Sequence, residues 1–199
     1  LPIERYTDEE AATIYYGLGL HMGVPVSQNI NGDMLGHVRN IGAADTKQVR
    51  VYETNEYLPY HADLSDVVGL LCLRKAKSGG MSSISSAMTL YNEILEKHPE
   101  YLGLLHRHFL LEHLNDGNVG QTPIFSYYKG KLSAMYLRQY IEIAQENAGL
   151  PLSDVEVEAL DLIDSILVDP DIRLDMLMEP GDIQFVNNYS IFHSRARTH

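Results

Sequence analysis

The chain has 199 residues, 45% of them hydrophobic and 21% charged, with a formal net charge of −12. These values fit one globular domain with a core of its own and exclude wholesale disorder. The acidic balance excludes a nucleic-acid partner, because phosphates would be repelled without a basic stripe and Arg195 with Arg197 is too short to be one. No apolar run reaches the roughly 20 residues of a membrane span, so no membrane contact is expected. The acidic start, residues 1–10, lacks the pattern of a signal peptide. The single Cys72 excludes an internal disulfide and a multi-cysteine zinc site, and a reducing, cytoplasmic setting is the default.

Thr7-Asp8-Glu9-Glu10 has the pattern of a capping box and predicts a helix to about Met22, ended by Gly23 and Pro25. Residues 24–33 are rich in turn formers and predict an ordered loop, followed by short strands over 37–41 and 48–53. Strands are expected over 56–65 and 67–73, the second a continuous apolar run suited to burial on both faces. Gly79-Gly80 breaks the chain before a strand over 81–85. Ser86 caps a predicted helix over 87–97, and Pro99 opens another that runs to about Phe109.

Residues 115–120 read as loop. Segments 123–128 and 131–135 flank Lys129-Gly130, which suits a hairpin turn. A helix over 137–148 stops at Gly149, and Ser153-Asp154-Val155-Glu156 opens another to about Val168. Strands over 172–178 and 183–187 flank the tight turn Glu179-Pro180-Gly181-Asp182, and a last strand covers 191–195. No repeat or linker divides the chain. Many short strands with inserted helices predict a mainly β fold, a sandwich or barrel with helical decoration, rather than βαβ units.

Three residues have the chemistry of a metal centre: His61, Asp63 and, far along the chain, His193. Alternate residues of a strand share a face, so His61 and Asp63 can hold one ion together. The third ligand has to come from another strand, and His193 lies on the predicted last one. Two neutral imidazoles and a carboxylate on one face of an octahedron leave three positions open, the arrangement of non-haem iron(II) oxygenases. Spacing alone leaves a bland alternative open, two backbone-satisfied histidines and a turn-capping aspartate, because the chain has nine histidines.

Around these residues lie Tyr60-His61-Ala62-Asp63, Leu70-Leu71-Cys72-Leu73-Arg74-Lys75-Ala76, Gly79-Gly80-Met81-Ser82, Pro180-Gly181-Asp182-Ile183 and the segment 187–195. In this order they resemble the TauD/TfdA-like (taurine dioxygenase) family of iron(II)- and 2-oxoglutarate-dependent dioxygenases, over residues 24–199. The resemblance implies a double-stranded β-helix (jelly roll) of the clavaminate synthase-like kind. It implies that His61, Asp63 and His193 are the catalytic centre and the iron ligands. It further implies that Ser82 bonds the 2-oxoglutarate carboxylate, and that O2 is the other co-substrate. The family anchors the distal carboxylate with an arginine on the strand after the last iron histidine. Arg195 and Arg197 come too early for that role and suit ion pairs or the pocket mouth. One domain over 1–199 is therefore expected, shortened at both ends and lacking its last strands.

Other residues are set aside. His106, His108 and His113 do not converge on a helix, and Cys72 reads as a small buried hydrophobe. The serines of 82–86 lack a nucleophile elbow. Gln28 and Asn29 suit local backbone bonding as well as a pocket, and of Asn187 and Asn188 at most one faces the pocket if the strand continues. Tyr57 and Tyr60 flank the iron motif but suit any half-buried strand.

The functional expectation is an oxidoreductase that hydroxylates or otherwise oxidises a small organic molecule, releasing succinate and CO2. The alternatives are a non-catalytic metal- or small-molecule-binding jelly roll and an inactive fragment of such an enzyme. A small-molecule substrate is the expected partner, and a homo-oligomer is allowed.

Overall fold

The computed structural model describes residues 1–28, 32–38, 57–112 and 118–196. The first helix, α1, spans Asp8–Leu20. Thr7 Oγ1 accepts from the Glu10 N–H at 3.3 Å, and the Glu10 carboxylate accepts from the Thr7 N–H at 2.8 Å. The capping box therefore forms as its spacing predicts. Residues 24–28 are irregular, as expected, but 37 and 38 are not in a strand; 39–41 and 48–53 lie outside the described residues.

Ten strands and four further helices follow among the described residues. The strands are β1 (Leu58–His61), β2 (Val67–Leu71), β3 (Ser82–Ser86), β4 (His108–Glu112) and β5 (Val119–Pro123). They continue with β6 (Phe125–Tyr128), β7 (Lys131–Ala134), β8 (Arg173–Met176), β9 (Ile183–Asn187) and β10 (Ile191–Arg195). The helices are α2 (Ala87–Lys97), α3 (Leu102–Leu105), α4 (Arg138–Asn147) and α5 (Asp154–Leu167). The described strands pair antiparallel: β1-β10-β3-β8 in one sheet, and β2 with β9, β4 with β5, β6 with β7. The fold is thus a set of antiparallel sheets with inserted helices.

Local signals held where local bonds decide. Ser86 Oγ accepts from the Thr89 N–H at 3.2 Å and opens α2. The Ser153 N–H donates to the Glu156 carboxylate at 2.8 Å and opens α5. Lys129 (φ 49°) and Gly130 (φ 76°) both take the left-handed conformation that a two-residue hairpin between β6 and β7 requires.

Three expectations are corrected. The helix from Pro99 ends at Leu105 and β4 starts at His108, because 104–111 is apolar enough for either element and pairing with β5 makes it a strand. That pairing also makes 119–120 part of β5 rather than loop. The apolar run 67–73 is strand only to Leu71, and its Val67 is 39% exposed. Its only partner among the described residues is β9, so an apolar run records cover without telling how many sides it comes from. Here α1 gives cover: Tyr15 stacks on Phe185 of β9, above Gly69, where a Cβ would collide with the Tyr15 hydroxyl and the Phe185 ring.

The core gathers Leu90 and Ile94 of α2, Ile141 of α4, and Leu160, Ile163 and Leu167 of α5 against Phe125, Tyr136 and Phe192, all fully buried. The α5 residues recur at helical spacing, which gives that helix one apolar face toward the sheets. The one polar tip among the aromatic rings is satisfied, since Tyr136 Oη donates to Asp164 at 2.7 Å. Among the described residues no helix is long and apolar enough to cross a membrane.

Candidate metal centre

β1 and β10 are neighbours, and His61 stands directly opposite His193 in their register. Facing residues of an antiparallel pair project on the same side, and the two rings lie 4.3 Å apart at 50°. Asp63 arrives differently. His61 is the last residue of β1, so strand alternation does not carry Asp63 to the same face. The chain turns instead, with the Ala62 N–H held by the Tyr136 carbonyl at 2.9 Å. Asn188, in the turn between β9 and β10, then holds Asp63: its Oδ1 accepts from the Asp63 N–H at 3.1 Å, and its Nδ2 donates to the Asp63 carbonyl.

The carboxylate ends up between the imidazoles, 3.5 Å from His61 Nε2 through Oδ1 and 3.4 Å from His193 Nε2 through Oδ2. One ligand atom from each of the three residues falls within a 4.8 Å set. Adjacent octahedral positions around an ion with bonds of about 2.1 Å are about 3 Å apart, so small side-chain adjustments suffice to hold one. His61 Nδ1 lies 2.8 Å from the Pro59 carbonyl, which can only accept, so Nδ1 carries the proton. A neutral His61 then turns a lone pair toward a carboxylate oxygen. That repulsion is relieved by a cation between them or by a second ring proton, and the donor set therefore fits a metal ion.

The electrostatics agree. Burial alone would raise the Asp63 carboxyl, but the two imidazoles facing it outweigh burial and hold the group well below the usual carboxylate range. Burial holds the His193 imidazole below the ordinary histidine value, against the opposite pull of Asp63. His193 is 9% exposed, and its Nδ1 has no hydrogen-bond partner among the described residues. At neutral pH these effects favour an ionised Asp63 and a neutral His193, the forms in which they ligate metal.

Ser82 opens β3, is 7% exposed, and faces Arg195 of β10. Ile84 faces His193 in the same register, so the Ser82 and Arg195 side chains share the sheet face of the histidines. Arg195 is half-buried there, whereas Arg197 lies outside the described residues. The opposite face carries a polar chain that no local pattern announced: Tyr60 bonds Ser83, Ser83 Oγ donates to Asp175 at 2.6 Å, and Arg173 Nε donates to Asp175 at 3.0 Å. Asn188 is likewise invisible to periodicity, because β9 ends at Asn187 and its partners are in another part of the sequence.

The remaining candidates fall elsewhere. His106 stacks on Tyr127 with ring centroids 5.8 Å apart, His108 begins β4, and His113 lies outside the described residues. Cys72 is half-buried just beyond β2, with Sγ against the Met178 carbonyl. Gln28 Nε2 bonds the Val26 carbonyl at 3.0 Å, a local tie; Asn29 lies outside the described residues. Tyr57 is 46% exposed and Tyr60 is buried. A cleft of about 570 Å³ lies beside β5 and the β6–β7 hairpin, with Leu64, Gln121, Ser126, Ser133, Met135 and Tyr189 in its walls; none of His61, Asp63, His193 and Ser82 lines it.

The model of the taurine catabolism dioxygenase TauD, TfdA family matches residues 1–199. The chain belongs to this family. It is 36% identical to the FR-33289 synthase of Streptomyces rubellomurinus (strain ATCC 31215) over 204 residues, 98% of this chain and 60% of that protein. It is 26% identical to the taurine hydroxylase-like protein SAT17 of Stachybotrys chartarum (strain CBS 109288 / IBT 7711), over 98% of this chain and 54% of that one. The chain thus spans little more than half the length of these curated relatives. In fold it matches an asparagine oxygenase in complex with Fe(II), 2S,3S-3-hydroxyasparagine and succinate, with a TM-score of 0.63, 15% identity, and coverage of 89% of this chain and 65% of that one. It also matches the non-heme iron oxygenase OrfP in complex with Fe and alpha-ketoglutaric acid, with a TM-score of 0.64, 13% identity, and coverage of 92% and 57%. AAD-2 in complex with Mn(II) and N-oxalylglycine gives a TM-score of 0.68 at 13% identity, covering 97% of this chain and 76% of that one.

Proposed function

We propose that the protein is an iron(II)- and 2-oxoglutarate-dependent dioxygenase built on a double-stranded β-helix of the clavaminate synthase-like kind. It would oxidise a small organic molecule and release succinate and CO2. The observation that carries this reading is the convergence of His61, Asp63 and His193 from two paired strands and a turn. Two imidazoles and one carboxylate on one side of an ion leave its other side open to small molecules. Family membership and the iron, 2-oxoglutarate and succinate complexes of the fold relatives support it.

Ferrous iron bound by these three residues, with 2-oxoglutarate beside it, would supply the activation of dioxygen. The chain's own residues do the rest. His61 keeps its proton on Nδ1, bonded to Pro59, and so points a free Nε2 at the ion. Asp63 offsets part of the ion's charge. Ser82, on the same sheet face, is the residue we assign to the 2-oxoglutarate carboxylate.

The test is an anaerobic optical titration of the protein with ferrous iron and then 2-oxoglutarate. The expected result is a visible metal-to-ligand charge-transfer band, lost in His61→Ala, Asp63→Ala and His193→Ala. Iron binding without the band would leave a metal site with no co-substrate seat, which is the non-catalytic reading. A folded protein that binds no iron would refute the ligand assignment.

A further inference from the structure

Outside the three residues of the centre, one buried side chain clasps the main chain of Asp63 on both sides. We infer that Asn188 is the positioning residue of the metal centre: it sets the Asp63 carboxylate against the two imidazoles and so governs affinity for the ion. This rests on the ligand assignment proposed above.

Asn188 is fully buried. Its Oδ1 accepts from the Asp63 N–H at 3.1 Å, while its Nδ2 donates to the Asp63 carbonyl and to the Ser65 carbonyl, the latter at 2.8 Å. Its own N–H donates to the Asp66 carbonyl at 3.0 Å, and the neighbouring Tyr189 Oη donates to the Asp66 carboxylate at 2.8 Å. One side chain therefore satisfies both main-chain polar groups of a ligand residue. Only an amide supplies an acceptor and two donors from a single planar group.

The two histidines need no such help. His61 and His193 sit on β1 and β10, and the ladder between those strands fixes them relative to each other. Asp63 has left β1, so no ladder bond holds it. Asn188 supplies the missing constraint from the turn that leads into β10, the strand that carries His193. The clasp thus ties the third ligand to the same stretch of chain as the second. A ligand carboxylate hung on a loosened turn spends less time within reach of the ion, and affinity falls accordingly.

The experiment titrates Co(II) anaerobically, as a spectroscopic probe of the site, into the wild-type protein and into Asn188→Ala, Asn188→Asp and Leu160→Ala. Absorption bands give affinity and ligand field, and near-ultraviolet circular dichroism reports folding. Both Asn188 variants are expected to bind Co(II) about 10–100-fold more weakly, with shifted bands. Leu160→Ala, destabilised through the apolar core, is expected to keep wild-type affinity and bands. A folded Asn188→Ala with wild-type affinity and spectrum overturns the inference. Should that variant not fold, Asn188→Asp decides in the same way, since it keeps the shape and the acceptor while losing both donated bonds. An equal loss of affinity in Leu160→Ala also overturns it, because loosening the fold would then be enough. Wild-type protein that binds no Co(II) sinks the ligand assignment, and the inference with it; an Asn188 variant indistinguishable from a metal-binding wild type sinks the inference alone.

Discussion

The sheet that carries the triad buries a row of polar side chains that the helical side lacks, beside the core residues Tyr60 and Phe192. Between α2, α4 and α5 the buried groups include Leu90, Ile94, Ile141, Leu160, Ile163 and Leu167, and all are apolar. The buried polar side chains among the described residues are Ser82, Ser83, Ser85, Asn188, His193 and Ser194, and every one lies on β3, β10 or the turn that leads into β10. A buried polar group contributes little net stability and costs a good deal when it loses its partner. One region thus holds the fold together by apolar contact, and the other accepts polar burial to keep donors and ligands in fixed places. Changes in the first should alter stability and spare the centre, and changes to the three metal-centre side chains in the second should alter the centre and spare stability.

The sharpest break of that contrast is removal of a proposed ligand. His193→Ala or Asp63→Ala is expected to abolish metal binding and 2-oxoglutarate-dependent succinate formation, while the metal-free protein unfolds cooperatively as before. Urea unfolding with and without metal checks this. Next comes the mirror experiment. Ile163→Ala, in the helical core, is expected to cost about 2–5 kcal/mol of stability, read from urea midpoints, with metal affinity unchanged in the folded fraction. A change in affinity there would mean that the two regions are energetically one.

Metal itself offers a third handle. Ferrous iron or Mn(II) at a hundredfold excess over its dissociation constant should stabilise the wild-type protein by about 2.7 kcal/mol, seen as a raised thermal midpoint, and should leave His193→Ala unmoved. Smaller effects sharpen the picture. Tyr60→Phe removes the bond to Ser83 but leaves Ser83 bonded to Asp175, and is expected to cost about 1 kcal/mol by urea unfolding. Thr7→Ala, at the exposed start of α1 and outside both regions, should cost about 0.5–1 kcal/mol through its lost cap and leave the centre untouched.

The histidine pair was legible because a strand carries His61 and a second, distant strand has to carry its partner, and His193 faces it across β1 and β10. Asp63 lies past the end of β1, where strand alternation does not reach it. Nothing in the spacing of Asn187-Asn188-Tyr189 separates a buried clasp from an ordinary turn. The segment beginning at Pro99 shows the same limit: its leucines suit a helix or a strand, and only pairing with β5 decides between them.

Features that close within a few residues were legible in the sequence alone: the caps at Thr7, Ser86 and Ser153 and the Lys129-Gly130 hairpin. Those features depend on bonds between near neighbours, which no distant contact has to supply. The tertiary structure alone decided how β2 is covered, where α3 yields to β4, and how Asp63 meets the histidines. Each of these turns on partners far apart along the chain, Asp63 and Asn188 being separated by 125 positions. Such contacts have no period to read, because their geometry exists only once the strands have paired.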